Sequence, residues 1–255
     1  MKGARLGQHF LIHSWAARTL AHAVEPLEGE VIVEVGPGKG VLTRELLTLG
    51  PVIAIEKDEA LVTLLNETFA AEISSGKLTI VSDDIRNVTP ASLGISRYIV
   101  AANIPYYITG EIIRQFLTAK DKPRAMALLI QKEVAQRITG VKESILSLSV
   151  KAFGVPKIIA KVSKTHFSPP PSVDSAILAI TDISGTFFDT ITEEQFFTVV
   201  RAGFASKRKF VANNLAVVFE KEKVIAAMSE CGIPEKARAE DIKIGEWKLL
   251  TEKLY

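Results

Sequence analysis

Apolar positions along the chain change period several times, and the changes mark its elements. Residues 31–35 (Val-Ile-Val-Glu-Val) form a run of mostly β-branched character that stops at Gly36. Gly38 and Gly40 follow, and Val41, Leu42, Leu46, Leu47 and Leu49 then recur at helical spacing. The pattern predicts a buried strand, a glycine turn and a helix. Further strands are expected at 51–55, 78–81, 98–102 and 125–130. Between them, helical spacing appears at Leu61, Leu64, Leu65 and Phe69 behind an Asp58 N-cap, at Ile112, Ile113, Phe116 and Leu117, and at 134–138. Ser14 is the expected N-cap of a helix from Trp15 to about Val24, and 158–162 with 175–180 read as a closing hairpin. After Asp182 only helical patterns remain. There Thr192-x-x-Gln195 forms a capping box before the stripe Phe196, Val199, Val200 and Phe204. A linker near 183–191 therefore divides an α/β domain (1–184) from a small all-helical one (185–255).

Alternating strands and helices predict a doubly wound, Rossmann-like sheet, and the glycine turn falls at the carboxyl end of its first strand, where such sheets bind ligands. The spacing is Gly-x-Gly-x-Gly rather than the Gly-x-Gly-x-x-Gly of dinucleotide folds, and Pro37 stiffens the turn. Glu34 lies inside an apolar strand, where an unpaired carboxylate is costly. The second strand ends in Glu56, the position at which these folds place an acid on ribose hydroxyls. A turn of this spacing with that acid resembles the S-adenosylmethionine (SAM) fold of class I methyltransferases.

Composition narrows the picture only a little. In 255 residues, 47% hydrophobic content supports a real core, and 31 Lys+Arg against 29 Asp+Glu leave a net charge of +2. Any basic binding surface must therefore come from local clustering. Arg201, Lys207, Arg208 and Lys209 supply one, with no acid between Glu194 and Glu220. The single cysteine, Cys231, excludes an internal disulfide and points to a reducing, cytoplasmic setting. No apolar stretch is long enough to span a bilayer. Lys2, Arg5 and Arg18 precede the first acid, Glu25, as in a transit peptide, but a motif in that segment explains it better.

The most specific signal is Asn103-Ile104-Pro105-Tyr106, at the end of the fourth strand. It can be an ordinary Asn-Pro turn. Beyond an acid-ended third strand it has a chemical meaning. The N6 amine of adenine is a poor nucleophile, because its lone pair is delocalised into the ring. Acceptors from the Asn103 amide and the Ile104 carbonyl would hold its two N–H groups and turn the lone pair towards a sulfonium methyl. Pro105 frees the carbonyls from strand pairing, and the Tyr106 ring can stack on the base. Positioning and desolvation are then the main contributions. Phe167, in Phe-Ser-Pro-Pro-Pro, either offers a second aromatic face to an extruded base or plugs the core beneath a proline-rich loop.

With these motifs the sequence resembles the KsgA-type rRNA adenine dimethyltransferase family nearly end to end. Gly7-Gln8-His9-Phe10-Leu11 matches its N-terminal motif, with His9 where Asn is common, and 34–40 matches its SAM loop. The resemblance implies that Gln8, His9, Leu11, Glu34, Gly36, Gly38, Glu56, Asp84 and Asn103 hold SAM as co-substrate, with Glu56 on the ribose and Asp84 on the adenine amine. It assigns catalysis to Asn103, Ile104, Pro105, Tyr106 and Phe167, and RNA contact to the 201–215 segment, where Asn213 and Asn214 add neutral donors. It also implies dimethylation of two adjacent adenines near the 3′ end of small-subunit rRNA in a pre-30S-like particle, by a monomeric protein that needs no metal. Ile104 is shared with the erythromycin-resistance relatives that modify large-subunit rRNA, and Tyr107 departs from the residue usual there. That target, an assembly factor with secondary catalysis, and a DNA adenine methyltransferase remain the alternatives.

Overall fold

The computed structural model describes residues 9–255. In chain order the elements begin with β1 (Phe10–Leu11), α1 (Ser14–Ala21), β2 (Val31–Val35), α2 (Val41–Leu46), β3 (Val52–Glu56), α3 (Glu59–Thr68), α4 (Ala70–Ser74) and β4 (Leu78–Ser82). They continue with β5 (Tyr98–Asn103), α5 (Thr109–Leu117), β6 (Met126–Gln131), α6 (Lys132–Thr139), α7 (Ile145–Lys151), β7 (Val155–Val162), β8 (Phe167–Ser168) and β9 (Ser175–Thr181). The last four are α8 (Glu193–Gly203), α9 (Val211–Leu215), α10 (Lys221–Glu230) and α11 (Ile244–Leu254).

One sheet of seven strands runs β4-β3-β2-β5-β6-β9-β7, and a two-stranded ribbon joins β1 to β8. The first five strands are parallel, whereas β9 is antiparallel to both β6 and β7. Strand order reverses between β2 and β5, so the loops leaving their carboxyl ends flank the crevice where open α/β sheets bind ligands.

The register explains how one face is covered. Ala54, Glu34, Ala101, Ala127 and Ala179 stand side by side across β3, β2, β5, β6 and β9. This row of small side chains lets Ala16, Ala17 and Ala21 of α1 pack closely against the sheet, in one cluster with Leu42, Leu46, Leu65 and Phe69. It also leaves room for the Glu34 carboxyl, which is 0% exposed. At the start of β2, buried Glu30 accepts from Arg124 Nε and Nη2, both at 2.8 Å, a bidentate pair that draws the Glu30 carboxyl below its usual range.

Asp58 caps α3 by accepting from Ala60 N at 3.0 Å, and Thr192 with Gln195 makes the expected capping box on α8. The cap of α1 is a correction: Ser14 is its first residue, His13 stands at the N-cap without a side-chain bond, and the helix ends at Ala21.

Two compact units emerge, Met1–Ala135 with Gly154–Ile183, and Gln136–Phe153 with Ser184–Tyr255. Gln136–Phe153 thus belongs with the helical unit rather than with the α/β unit to which its position in the sequence assigned it. Glu143 N donates to Glu240 O at 2.7 Å, Lys243 Nζ to Val141 O at 2.7 Å, and the Phe153 ring lies 5.1 Å from Phe188. Phe187 and Phe188, inside the expected linker, pack on Phe196 and are part of this aromatic cluster.

Candidate active site

At the carboxyl ends of β2, β3 and β5 lies an open cavity of ≈ 1110 Å³ including its mouth, within the α/β unit. Its walls include His9, Leu11, Gly36, Gly38, Glu56, Asp84, Asn103, Ile104, Pro105, Tyr106 and Phe167. Most of the residues expected from the sequence are therefore together. Gln8 lies outside the described residues.

The glycine turn is shaped by its neighbours. Gly38 has φ +59°, and a Cβ there would meet the Phe10 ring at 3.0 Å, so the β1 segment lies directly over the loop. Gly40, φ +77°, starts α2 with its Cα against Phe69, where a Cβ would come within 2.4 Å. Glu56, 6% exposed, holds this loop: Oε2 accepts from Gly38 N at 3.2 Å, and Oε1 from Lys57 N at 2.9 Å and Asp58 N at 3.0 Å. Its carboxylate is thus fixed in place, with acceptor capacity left on the cavity side.

Glu34 is placed differently from expectation. It is fully buried beneath the turn and does not line the cavity. Among the described residues neither carboxyl oxygen has a partner at full hydrogen-bond geometry, and neither does the buried Thr43 hydroxyl beside it. Burial pushes the Glu34 pKa up to about 8, the charge of Glu56 adds to the rise, and Thr43 offsets part of it.

Asp84 reaches the cavity, but Arg86 occupies both its oxygens, Nε to Oδ1 at 3.0 Å and Nη2 to Oδ2 at 2.5 Å. That guanidinium, with weaker help from Lys57, holds the Asp84 carboxyl well below the usual range. Sequence reasoning missed Arg86 as its partner, although a basic residue two positions after an acid that caps a short turn is a readable signal.

The Asn103 segment is built for presentation. Asn103 Nδ2 donates to His9 O at 3.2 Å, which fixes the amide and leaves Oδ1 without a partner among the described residues. Ile104 is 1% exposed and anchored by its N–H to Leu129 O at 3.2 Å. Tyr106 OH and Ser175 Oγ are 2.8 Å apart, which locks the half-buried ring, and burial raises its pKa. His9 Nδ1 donates to Pro169 O at 2.8 Å, and its ring lies 6.0 Å from that of Tyr106. His9 in place of Asn therefore ties the N-terminal segment to the proline-rich loop. Phe167, in register with Leu11, is only 3% exposed and packs in the core cluster. It is a wall of the cavity, and the plugging role describes it better than a free stacking face. Tyr107 is 68% exposed.

In the helical unit, Arg201, Lys207, Arg208 and Lys209 are all exposed, and among the described residues none has an ion pair. Asn213 is exposed too, but Asn214 is a correction: it is 4% exposed, and its Nδ2 donates to Gly203 O at 2.6 Å and Ser206 O at 3.0 Å. It braces the basic loop from inside and has no donor to offer RNA. Among the described residues, no group of three His, Cys, Asp or Glu is placed to hold a metal, and no helix is long and apolar enough to cross a membrane.

Sheet order, glycine turn and Asn-x-Pro-Tyr wall together define a class I SAM-dependent methyltransferase. Residues 2–254 match the family described as "Ribosomal RNA adenine dimethylase", and the chain belongs to that family: it is an rRNA adenine dimethyltransferase. "Ribosomal RNA small subunit methyltransferase A" of Dehalococcoides mccartyi is 40% identical over 252 residues, covering 96% of this chain and 86% of the relative. The protein of the same name from Moorella thermoacetica is 34% identical over 264 residues, covering 97% and 91%. Among solved structures, a dimethyladenosine transferase from Plasmodium falciparum superposes with a TM-score of 0.81 at 23% identity, covering 95% of this chain and 96% of that one. The 23S rRNA methyltransferase ErmE does so at 0.76 and 24%, covering 96% and 99%. These last two show the fold alone.

Proposed function

We propose that the protein places two methyl groups on each of two adjacent adenines near the 3′ end of small-subunit rRNA. It acts as a monomer on a precursor particle in the cytoplasm, as a step of ribosome biogenesis. The observation that carries this reading is the Asn103 amide. Its nitrogen is held by the His9 carbonyl, so its oxygen, unpartnered among the described residues, is the acceptor left for an incoming amine. The small-subunit target is supported by the names of the relatives at 40% and 34% identity.

The residues present fit SAM. The Gly36 backbone is free of side chains where a ligand would approach, with only Asn103 O at 4.0 Å near its missing Cβ. Glu56 keeps acceptor capacity towards hydroxyls, and Asp84 adds a second carboxylate. When bound, SAM supplies an electrophilic sulfonium methyl. The protein supplies position. Asn103 Oδ1 and the Ile104 carbonyl accept from the adenine N–H groups, the locked Tyr106 ring supports the base, and Leu11 and Phe167 exclude water. The proton leaves the amine after bond formation, so no strong base is required.

The test is methyl transfer to small-subunit rRNA by wild type and Asn103→Ala, with SAM affinity measured alongside. The expected outcome is near-normal SAM binding with turnover lowered by orders of magnitude. Turnover within a few-fold of wild type would overturn the assignment.

A further inference from the structure

Beside the cavity, the exposed rings of His13 and Trp15 and the half-buried ring of His166 form a cluster that the chemistry described so far does not use. His13 and His166 stack with centroids 4.1 Å apart and planes at 18°. Trp15 meets His166 edge-on at 5.9 Å and 76°, and His13 at 6.4 Å and 80°. Trp15 is 46% exposed, although a tryptophan with no surface role gains by burial. Ile12 N donates to His166 O at 2.9 Å, so the cluster directly continues the β1–β8 ribbon, whose Leu11 and Phe167 line the cavity. Burial and the neighbouring His13 lower the His166 pKa, which favours the neutral ring.

The two segments that build the cluster carry only positive charge. Neither segment that builds it, 9–24 or 155–173, contains an Asp or Glu. Lys161 and Lys164 are exposed, and Lys164 shares a single turn with His166, its N–H bonded to Asp174 Oδ1 at 3.1 Å.

We propose that Trp15, with the His13–His166 stack behind it, is a stacking platform for an unpaired nucleotide next to the target adenine, and that Lys164 meets the adjoining phosphate. This rests on the rRNA reading of the cavity. An aromatic face that tolerates any base, flanked by Lys161 and Lys164 and with the Asp174 carboxylate engaged by the Lys164 N–H, suits single-stranded nucleic acid. A nucleotide held there would keep the strand unstacked where the adenine must enter.

Trp15 reports on its own occupancy, because the other tryptophan, Trp247, is 0% exposed. The experiment is titration of the full-length protein with a single-stranded hexaribonucleotide, and separately with inorganic polyphosphate, while tryptophan emission is followed. Saturable quenching by RNA but not by polyphosphate is expected, and Trp15→Phe should lose the signal while keeping affinity. Trp15→Ala should weaken affinity for small-subunit rRNA roughly five- to 150-fold, the usual range for one stacked base, with SAM affinity unchanged. Unchanged emission while filter retention shows RNA bound, or equal quenching by polyphosphate, would overturn the platform. If rRNA is methylated and Trp15 stays silent, the platform alone falls. If Trp15 responds and no rRNA is methylated, the functional reading alone falls.

Discussion

Replacing Glu34 by Gln should make the protein markedly more stable at alkaline pH and change little at acid pH. Glu34 sits in the alanine row of the central sheet, 0% exposed, with both oxygens unpartnered among the described residues. Its pKa is about 8 in the fold against an ordinary 4.5. Below pH 4.5 the group is protonated in the folded and the unfolded chain and has no effect on the balance. Above that, the unfolded chain releases the proton while the folded chain keeps it. Stability therefore falls by about 1.4 kcal/mol per pH unit until the folded group ionises near pH 8. The full loss is about 5 kcal/mol, a large part of a domain's stability. Gln keeps the size and polarity of the neutral acid and carries no titration. Urea unfolding of both proteins at pH 6 and pH 8 checks this, because the carboxylates with lowered pKa, such as Glu30 and Asp84, have finished titrating by pH 6. The Glu34→Gln protein should gain about 2 kcal/mol relative to wild type between the two pH values, because the folded group is already half ionised at pH 8. Parallel pH dependence would mean that Glu34 is ionised in the fold, satisfied by a partner not seen here, and the account of the sheet centre would be wrong.

Glu56→Ala should weaken SAM binding by about 1–3 kcal/mol in calorimetry. Part of that loss reflects the glycine loop, since Gly38 N loses its acceptor. Replacing Lys207, Arg208 and Lys209 together by Ala should flatten the salt dependence of rRNA binding by roughly two to three units of log affinity per log salt. SAM affinity should stay constant, and parallel slopes in filter binding would make the segment a solvated surface.

The parts of the fold legible in the sequence were those with a local cause. The strand–turn–helix at 31–46 could be read because β-branched residues, glycines and helical spacing follow one another without overlap. The caps at Asp58 and Thr192 could be read because one side chain decides each. What escaped detection depends on contacts distant in sequence. The β1–β8 ribbon joins two-residue strands that are too short to show a period. Helix α7 escaped because Ile145, Leu146, Leu148 and Val150 suit a strand as well as a helix. The Ser144–Ser147 capping box was the missed signal. In the site, the sequence placed Asn103, Tyr106 and Glu56 together, but it could not show that Asn214 faces inward, that Arg86 holds Asp84, or that Glu34 lies under the loop rather than in the cavity. Each of these depends on which way a polar side chain turns, which neither period nor composition records.

The central claim is that this cavity dimethylates adenine N6 in small-subunit rRNA, and mapping the modified nucleotides tests it most directly. Precursor small subunits lacking the modification are incubated with the protein and SAM, and the rRNA is read by primer extension, which stops where both amine hydrogens are replaced. The account predicts strong stops at two adjacent adenines near the 3′ end, absent with Asn103→Ala. Stops elsewhere in the small-subunit rRNA, or methyl incorporation without any stop, would contradict it.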